Sequence, residues 1–157
     1  MAVHDIRRRR LGWLFLRVLC FAAAVPLLMR LRLPVLDRWL EGRIGSARAR
    51  GWDRTAPDDA LQCLEAARLL GWPLVRPGCL TRGLTLYYFL RRAGMDITLC
   101  FGARVRDGEL TQEVGHCWLE QGGKPMLERL DPYASFVTIY SLPARERASG
   151  QRCGERV

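Results

Sequence analysis

The chain runs to 157 residues, 49% of them apolar and 26% charged, with a net charge of +9. That length suffices for one domain with a buried core, and the composition is globular rather than fibrous or disordered. Six cysteines without a Cys-x-x-Cys pair, and only two histidines, exclude a zinc ribbon and a small disulfide scaffold; no metal or other cofactor is expected, and the thiols read as reduced, which points to the cytoplasm.

Residues 1–54 hold twelve arginines against four acids, whereas residues 55–140 hold nine basic and ten acidic side chains. The neutral stretch lacks the aromatic-interleaved basic surface of a nucleic-acid-binding core. The basic start suits anionic lipid or an acidic partner. An arginine run at 7–10 precedes an apolar run at 11–29 that contains Arg17 and Pro26. Arg17 spoils the apolar centre of a secretory signal. In a membrane span, which needs about 20 apolar residues, it would cost roughly 2.5–3.5 kcal/mol. Leu11, Leu14, Phe15, Val18, Ala22 and Val25 share one helical stripe, which predicts a buried or interfacial helix; peripheral membrane contact through residues 1–40 stays open. Leu28, Leu31, Val35 and Trp39 outline a second amphipathic helix over 27–40, kinked or restarted at Pro34. Residues 42–53 read as a linker.

Thr55 and Asp58 give a helix-start signal, with Pro57 in the first turn. Ala60, Cys63, Leu64, Ala67 and Leu70 form the next stripe, which Gly71 ends. After a loop with two prolines comes a helix over 79–93, closed by Arg91, Arg92 and Gly94. Its apolar residues leave no clear polar face, which predicts a central helix packed on several sides. The period then changes to alternation over 97–104, with a turn signal at Asp107-Gly108. Val114, His116, Trp118 and Glu120 share one face of the following strand. A glycine turn at 121–123, a return strand over 124–128 and a last strand over 136–140 complete an antiparallel meander. The expected architecture is α+β, with N-terminal helices and a central helix packed on an antiparallel sheet. The expected organisation is a basic helical segment (1–54), a core (55–143) and a disordered tail (144–157).

Within the core, Cys79 follows Pro77-Gly78 at a helix start, where unpaired N–H groups and the helix dipole favour a thiolate. Those N–H groups can also bind an oxyanion. His116 is the one histidine outside the extreme N-terminus, and Glu128 follows the glycine turn. A thiol, an imidazole and a carboxylate are the parts of a cysteine nucleophile with its base and orienting acid. If 121–123 is a three-residue loop, Glu120 pairs with Lys124, Trp118 with Met126, and His116 with Glu128. A two-residue loop shifts the register by one and aims Glu128 at Cys117 instead. Asp131 is the alternative acid. Arg82, one turn after Cys79, pairs with an internal carboxylate, holds substrate, or is a solvated helix arginine. Trp118 reads as packing behind the histidine, and Cys117 as a structural residue on the opposite face.

With these residues in place, the region from 79 to about 140 resembles the lasso-peptide B-type leader peptidases, a branch of the transglutaminase-like, papain-related cysteine protease superfamily. The resemblance rests on Cys79-Leu80-x-Arg82, Leu90-Arg91-Arg92-x-Gly94, Gly102-x-Arg104, His116-x-Trp118-x-Glu120 and Gly123-x-Pro125. It implies a cysteine peptidase that removes the leader from a ribosomally made precursor peptide, after which a separate macrolactam cyclase closes the core. It makes Cys79 the nucleophile and His116 the base and acid. Glu128 falls where the family usually has aspartate. It also implies a stand-alone winged-helix partner that binds the leader, the chain being too short to carry one ahead of its core. Two rival readings are a transglutaminase-like acyltransferase and a non-catalytic, membrane-peripheral binding protein.

Overall fold

The computed structural model describes residues 2–49, 57–71, 73–106 and 109–144. The Thr55 cap, the Asp107-Gly108 turn and all but the first residue of the expected tail lie outside them. Four helices come first: α1 (Ala2–Leu28), α2 (Leu33–Ala49), α3 (Pro57–Leu70) and α4 (Cys79–Arg92). Four strands follow: β1 (Thr98–Arg106), β2 (Glu109–Gln121), β3 (Lys124–Met126) and β4 (Phe136–Leu142), with a short 3-10 turn (Pro132–Ala134) before β4. The fold is α+β, as the change of period predicts.

α1 buries Leu14, Val18, Ala22 and Val25 of the stripe expected from the sequence, and Leu11 and Phe15 of the same stripe are partly buried. It packs on α3, which answers with Ala60, Cys63, Leu64 and Ala67, and on α4. Phe21 stacks on Tyr88 of α4 at 4.4 Å between centroids. The second helix differs from expectation in two ways. It restarts at Leu33 and continues to Ala49, so most of the supposed linker is helical. It also turns Leu36, Leu40, Ile44 and Ala47 inward, and leaves Leu31, Val35 and Trp39 exposed. The inward set repeats every three or four residues over about three turns, no longer than the expected set, and packing on α4 decides between the two. Each such Leu or Ile contributes roughly 1.5–3 kcal/mol by burial.

α4 is the hub. Residues 83–91 are all buried, and α1, α2, α3, β1 and β2 pack around the helix. Its last turn is tied to α2: Glu41 accepts hydrogen bonds from Tyr87 Oη (2.8 Å) and Arg91 Nη2 (2.9 Å). Arg91 Nη1 also reaches Asp96 at 3.1 Å. Against the sheet, α4 comes in closest at Gly83. A Cβ there would lie 2.9 Å from Leu99 Cδ1 and 3.2 Å from Cys117 Sγ, so no larger residue fits without displacement.

The strand order is β3-β2-β1-β4, all antiparallel. The sheet is therefore not the simple meander expected from the sequence. After β3 the chain crosses to the far edge, and β4 pairs with β1. The β2–β3 hairpin also departs from the three-residue reading. Gln121 pairs with Lys124, Glu120 with Pro125 and Leu119 with Met126, which leaves a two-residue loop, Gly122-Gly123. Both glycines have positive φ (59° and 79°), the geometry that a two-residue hairpin of matching twist requires.

Candidate active site

The sheet's two faces divide the work. On β2, Cys117 and Leu119 turn towards α4 and are buried, while His116, Trp118 and Glu120 line the other face. Cys79 sits half-buried at the first residue of α4.

The hairpin register alone would set Glu128 opposite Cys117. That does not happen, because β3 ends at Met126 and Leu127 takes a left-handed φ of 60°. For a non-glycine residue this conformation is costly and has to be held by its surroundings. Arg82 supplies the hold. Its Nη2 donates to the Leu127 carbonyl (2.7 Å) and its Nη1 to Glu128 Oε1 (3.2 Å). The bend brings the other oxygen, Glu128 Oε2, to 3.3 Å from His116 Nε2. With Nε2 engaged by the carboxylate, Nδ1 is the ring nitrogen left for the sulfur. Of the three readings of Arg82, the pairing with an internal carboxylate is the observed one.

The Cys79 thiol is pulled from its ordinary range down to about 5. The first cause is the thiol of Cys117, which hydrogen-bonds the sulfur; burial works against it, and the Cys117 backbone N–H and His116 add to the lowering. Cys117 moves the opposite way. Its thiol is pushed far up, first by that same hydrogen bond and then by burial, so Cys117 stays a neutral S–H donor. Cys79 heads the helix, and the strand beneath it supplies the first cause of the lowering.

The imidazole rests on a second assembly. Trp118, 1% exposed, stacks on His116 with centroids 6.0 Å apart and planes 23° off parallel. Phe136 of β4 lies 5.2 Å from the same ring. Trp118 is held by Glu120, whose Oε1 accepts from Trp118 Nε1 (2.9 Å), from the Cys100 thiol (2.9 Å) and from the Tyr133 hydroxyl. Because Tyr133 follows Glu128 by one short loop, buried Glu120 fixes both the floor under the imidazole and the loop that carries its acid. Asp131 is placed elsewhere. Its carboxylate accepts from the Tyr133 N–H (3.0 Å) and caps the 3-10 turn.

Sequence reasoning set Cys79, His116, Glu128, Arg82 and Trp118 in one neighbourhood, and the fold gathers all five. It missed the parts of Cys117 and Glu120. The adjacency of Cys117 to His116 was the available signal: when one strand residue reaches past the sheet edge, its neighbour faces the helix below. Among the described residues no group of three His, Cys, Asp or Glu side chains is arranged to hold a metal ion.

Chemically, a thiolate beside an imidazole that a carboxylate orients can attack a carbonyl and then pass the acyl group onward. No curated protein and no solved structure matches the chain. A protein-family model does, that of the transglutaminase-like superfamily, over residues 21–141. The match takes in the last two turns of α1, the rest of the helical layer, α4 and nearly the whole sheet, so the chain belongs to the transglutaminase-like superfamily, whose members generally act as cysteine peptidases or acyltransferases.

Proposed function

We propose that this chain is a cysteine peptidase that cuts the leader from a ribosomally made precursor peptide during lasso-peptide maturation. The observation that carries the reading is the His116–Glu128 pair at 3.3 Å, beside a thiol held as thiolate. The leader-peptidase assignment within the superfamily rests on the motif resemblance from Cys79 to Pro125.

In this reading thiolate Cys79 attacks the carbonyl at the leader–core junction. The carbonyl oxygen becomes an oxyanion, met by first-turn N–H groups of α4. His116, protonated and oriented by Glu128, gives its proton to the departing core amine. Neutral His116 then takes a proton from water, which attacks the thioester, releases the leader acid and restores the thiolate. Arg82 holds Glu128 in place, and Trp118 supports the ring. The freed core amine is the group a separate macrolactam cyclase consumes. A stand-alone winged-helix protein presents the leader.

The test is reconstitution. The full chain, a candidate precursor encoded beside its gene and the leader-binding partner are combined, and the products are weighed by mass spectrometry. Two fragments differing from the precursor by one water support the reading. An intact precursor with every partner present overturns it. An added primary amine separates the second reading, acyl transfer, which the superfamily equally accommodates: the leader fragment then carries the amine instead of a free carboxylate.

A further inference from the structure

We infer that the outer face of α1 and α2 docks on an anionic lipid surface. On α1, Trp13, Leu16, Cys20 and Leu27 are exposed at spacings of three, four and seven residues, which is one helical stripe opposite the buried one. Trp13 is 69% exposed and Leu27 63%. The apolar character continues past the helix end through Leu31, Val35 and Trp39. A window over Leu11–Leu28 has a mean hydropathy of 2.1, yet only 22% of it is buried in the fold. A helix in water normally turns charged side chains outward; the only charged residue in this window is Arg17.

Charge identifies the occupant. Arg30, Arg32, Arg38 and Arg43 are exposed among those apolar residues, and Arg43 lies over the Trp39 ring at 5.3 Å. The two acids of the same segment are occupied. Glu41 takes Tyr87 and Arg91, and Asp37 accepts from the Ala144 N–H at 3.0 Å. The exposed sides of the two helices therefore present tryptophan, leucine and arginine with little exposed negative charge. That combination fits a headgroup layer, with guanidinium groups on phosphates and apolar side chains at the acyl boundary. The inward stripe of α1 is committed to α3 and α4, so the helix lies along the surface rather than crossing it.

Vesicle flotation with the full, reduced chain tests this. Binding is expected to vesicles of phosphatidylcholine mixed with phosphatidylglycerol, to fall with added salt, and to be weak on phosphatidylcholine alone. Each of Arg30→Gln, Arg32→Gln and Arg43→Gln should lower partitioning roughly fivefold at low salt. Trp13→Asp with Leu16→Asp should abolish it, with circular dichroism and the Cys79 alkylation profile unchanged. Absence of flotation at any phosphatidylglycerol fraction overturns the inference, as does flotation that these variants leave intact. So does a concentration-dependent dimer that the Trp13 and Leu16 variants dissolve while wild-type vesicle binding is absent, because the face would then belong to a second copy.

Discussion

Between the start of α4 and the sheet, a set of polar side chains is engaged with one another. Arg82 holds Glu128, Glu128 meets His116, and Glu120 gathers Trp118, Cys100 and Tyr133. Around α1 and α2 the inner stripe is as well buried, but the outer one is apolar and its arginines face outward. The first region spends its polar groups on fixing a few atoms in place. The second spends apolar surface on water, which costs solubility unless something covers it. The contrast separates the region that holds the proposed chemistry from the one proposed for attachment. Substitutions on each side should therefore fail in different assays.

The largest effect is expected from the proposed nucleophile and its proposed base. Cys79→Ala and His116→Ala should each lower leader cleavage by roughly a thousandfold or more, since members of such a unit are not partly replaceable. Both variants should remain folded, because both side chains are only partly buried. The comparison breaks if either variant unfolds. Next comes a core position in the helical half. Leu36→Ala, at 0% exposure, should cost about 2–5 kcal/mol by denaturant titration. The Cys79 alkylation profile of the folded fraction should stay as it was. Glu41→Gln should cost about 1.5–3 kcal/mol in the same assay, since it replaces the carboxylate that pairs with Arg91 by a neutral amide.

The proposed orienting acid gives a smaller and more selective test. Glu128→Gln should slow cleavage roughly a hundredfold, the lower range for a positioned acid–base system. Asp131→Asn should leave the rate alone and cost at most about 1 kcal/mol at the 3-10 turn that Asp131 caps. The reverse pattern would mean that the His116–Glu128 pair is not the working one.

These residues also mark how far the sequence could be read. α4 was legible from its end signals and its apolar run, and the alternating strand from its local period. The inward stripe of α1 was legible for the same reason. The face of α2 was not: Leu31, Val35 and Trp39 make an equally good stripe, and only packing on α4 decides between the two. The His116–Glu128 contact was foreseen through a three-residue loop, whereas the fold reaches it through a two-residue loop and a left-handed Leu127. No pattern rule reports that φ, because it is imposed by Arg82 from 45 residues away. β4 crossing to β1 is likewise a long-range choice.

The smallest expected effect bears on where the thiolate comes from. The helix start and the imidazole are the familiar sources of a low thiol pKa. Here the first cause is the neutral thiol of Cys117, fixed against Gly83 beneath the nucleophile. In the folded protein Cys79 is depressed to about 5, so it is thiolate above that pH and thiol below it. Cys117→Ala removes the S–H donor but keeps the backbone N–H and His116. The midpoint of iodoacetamide labelling at Cys79 should therefore rise. Labelling near pH 6 should slow, while rates above pH 9 converge with wild type. Cys117→Ser, which keeps a donor on a shorter arm, should fall between the two. If the alanine profile overlays the wild-type one, the dipole and the imidazole suffice, and Cys117 is only packing. A displaced profile would show that in this chain the residue next to the proposed base sets the charge state of the proposed nucleophile. Leader cleavage would then fall with the thiolate fraction on the acid side and be little changed on the alkaline side.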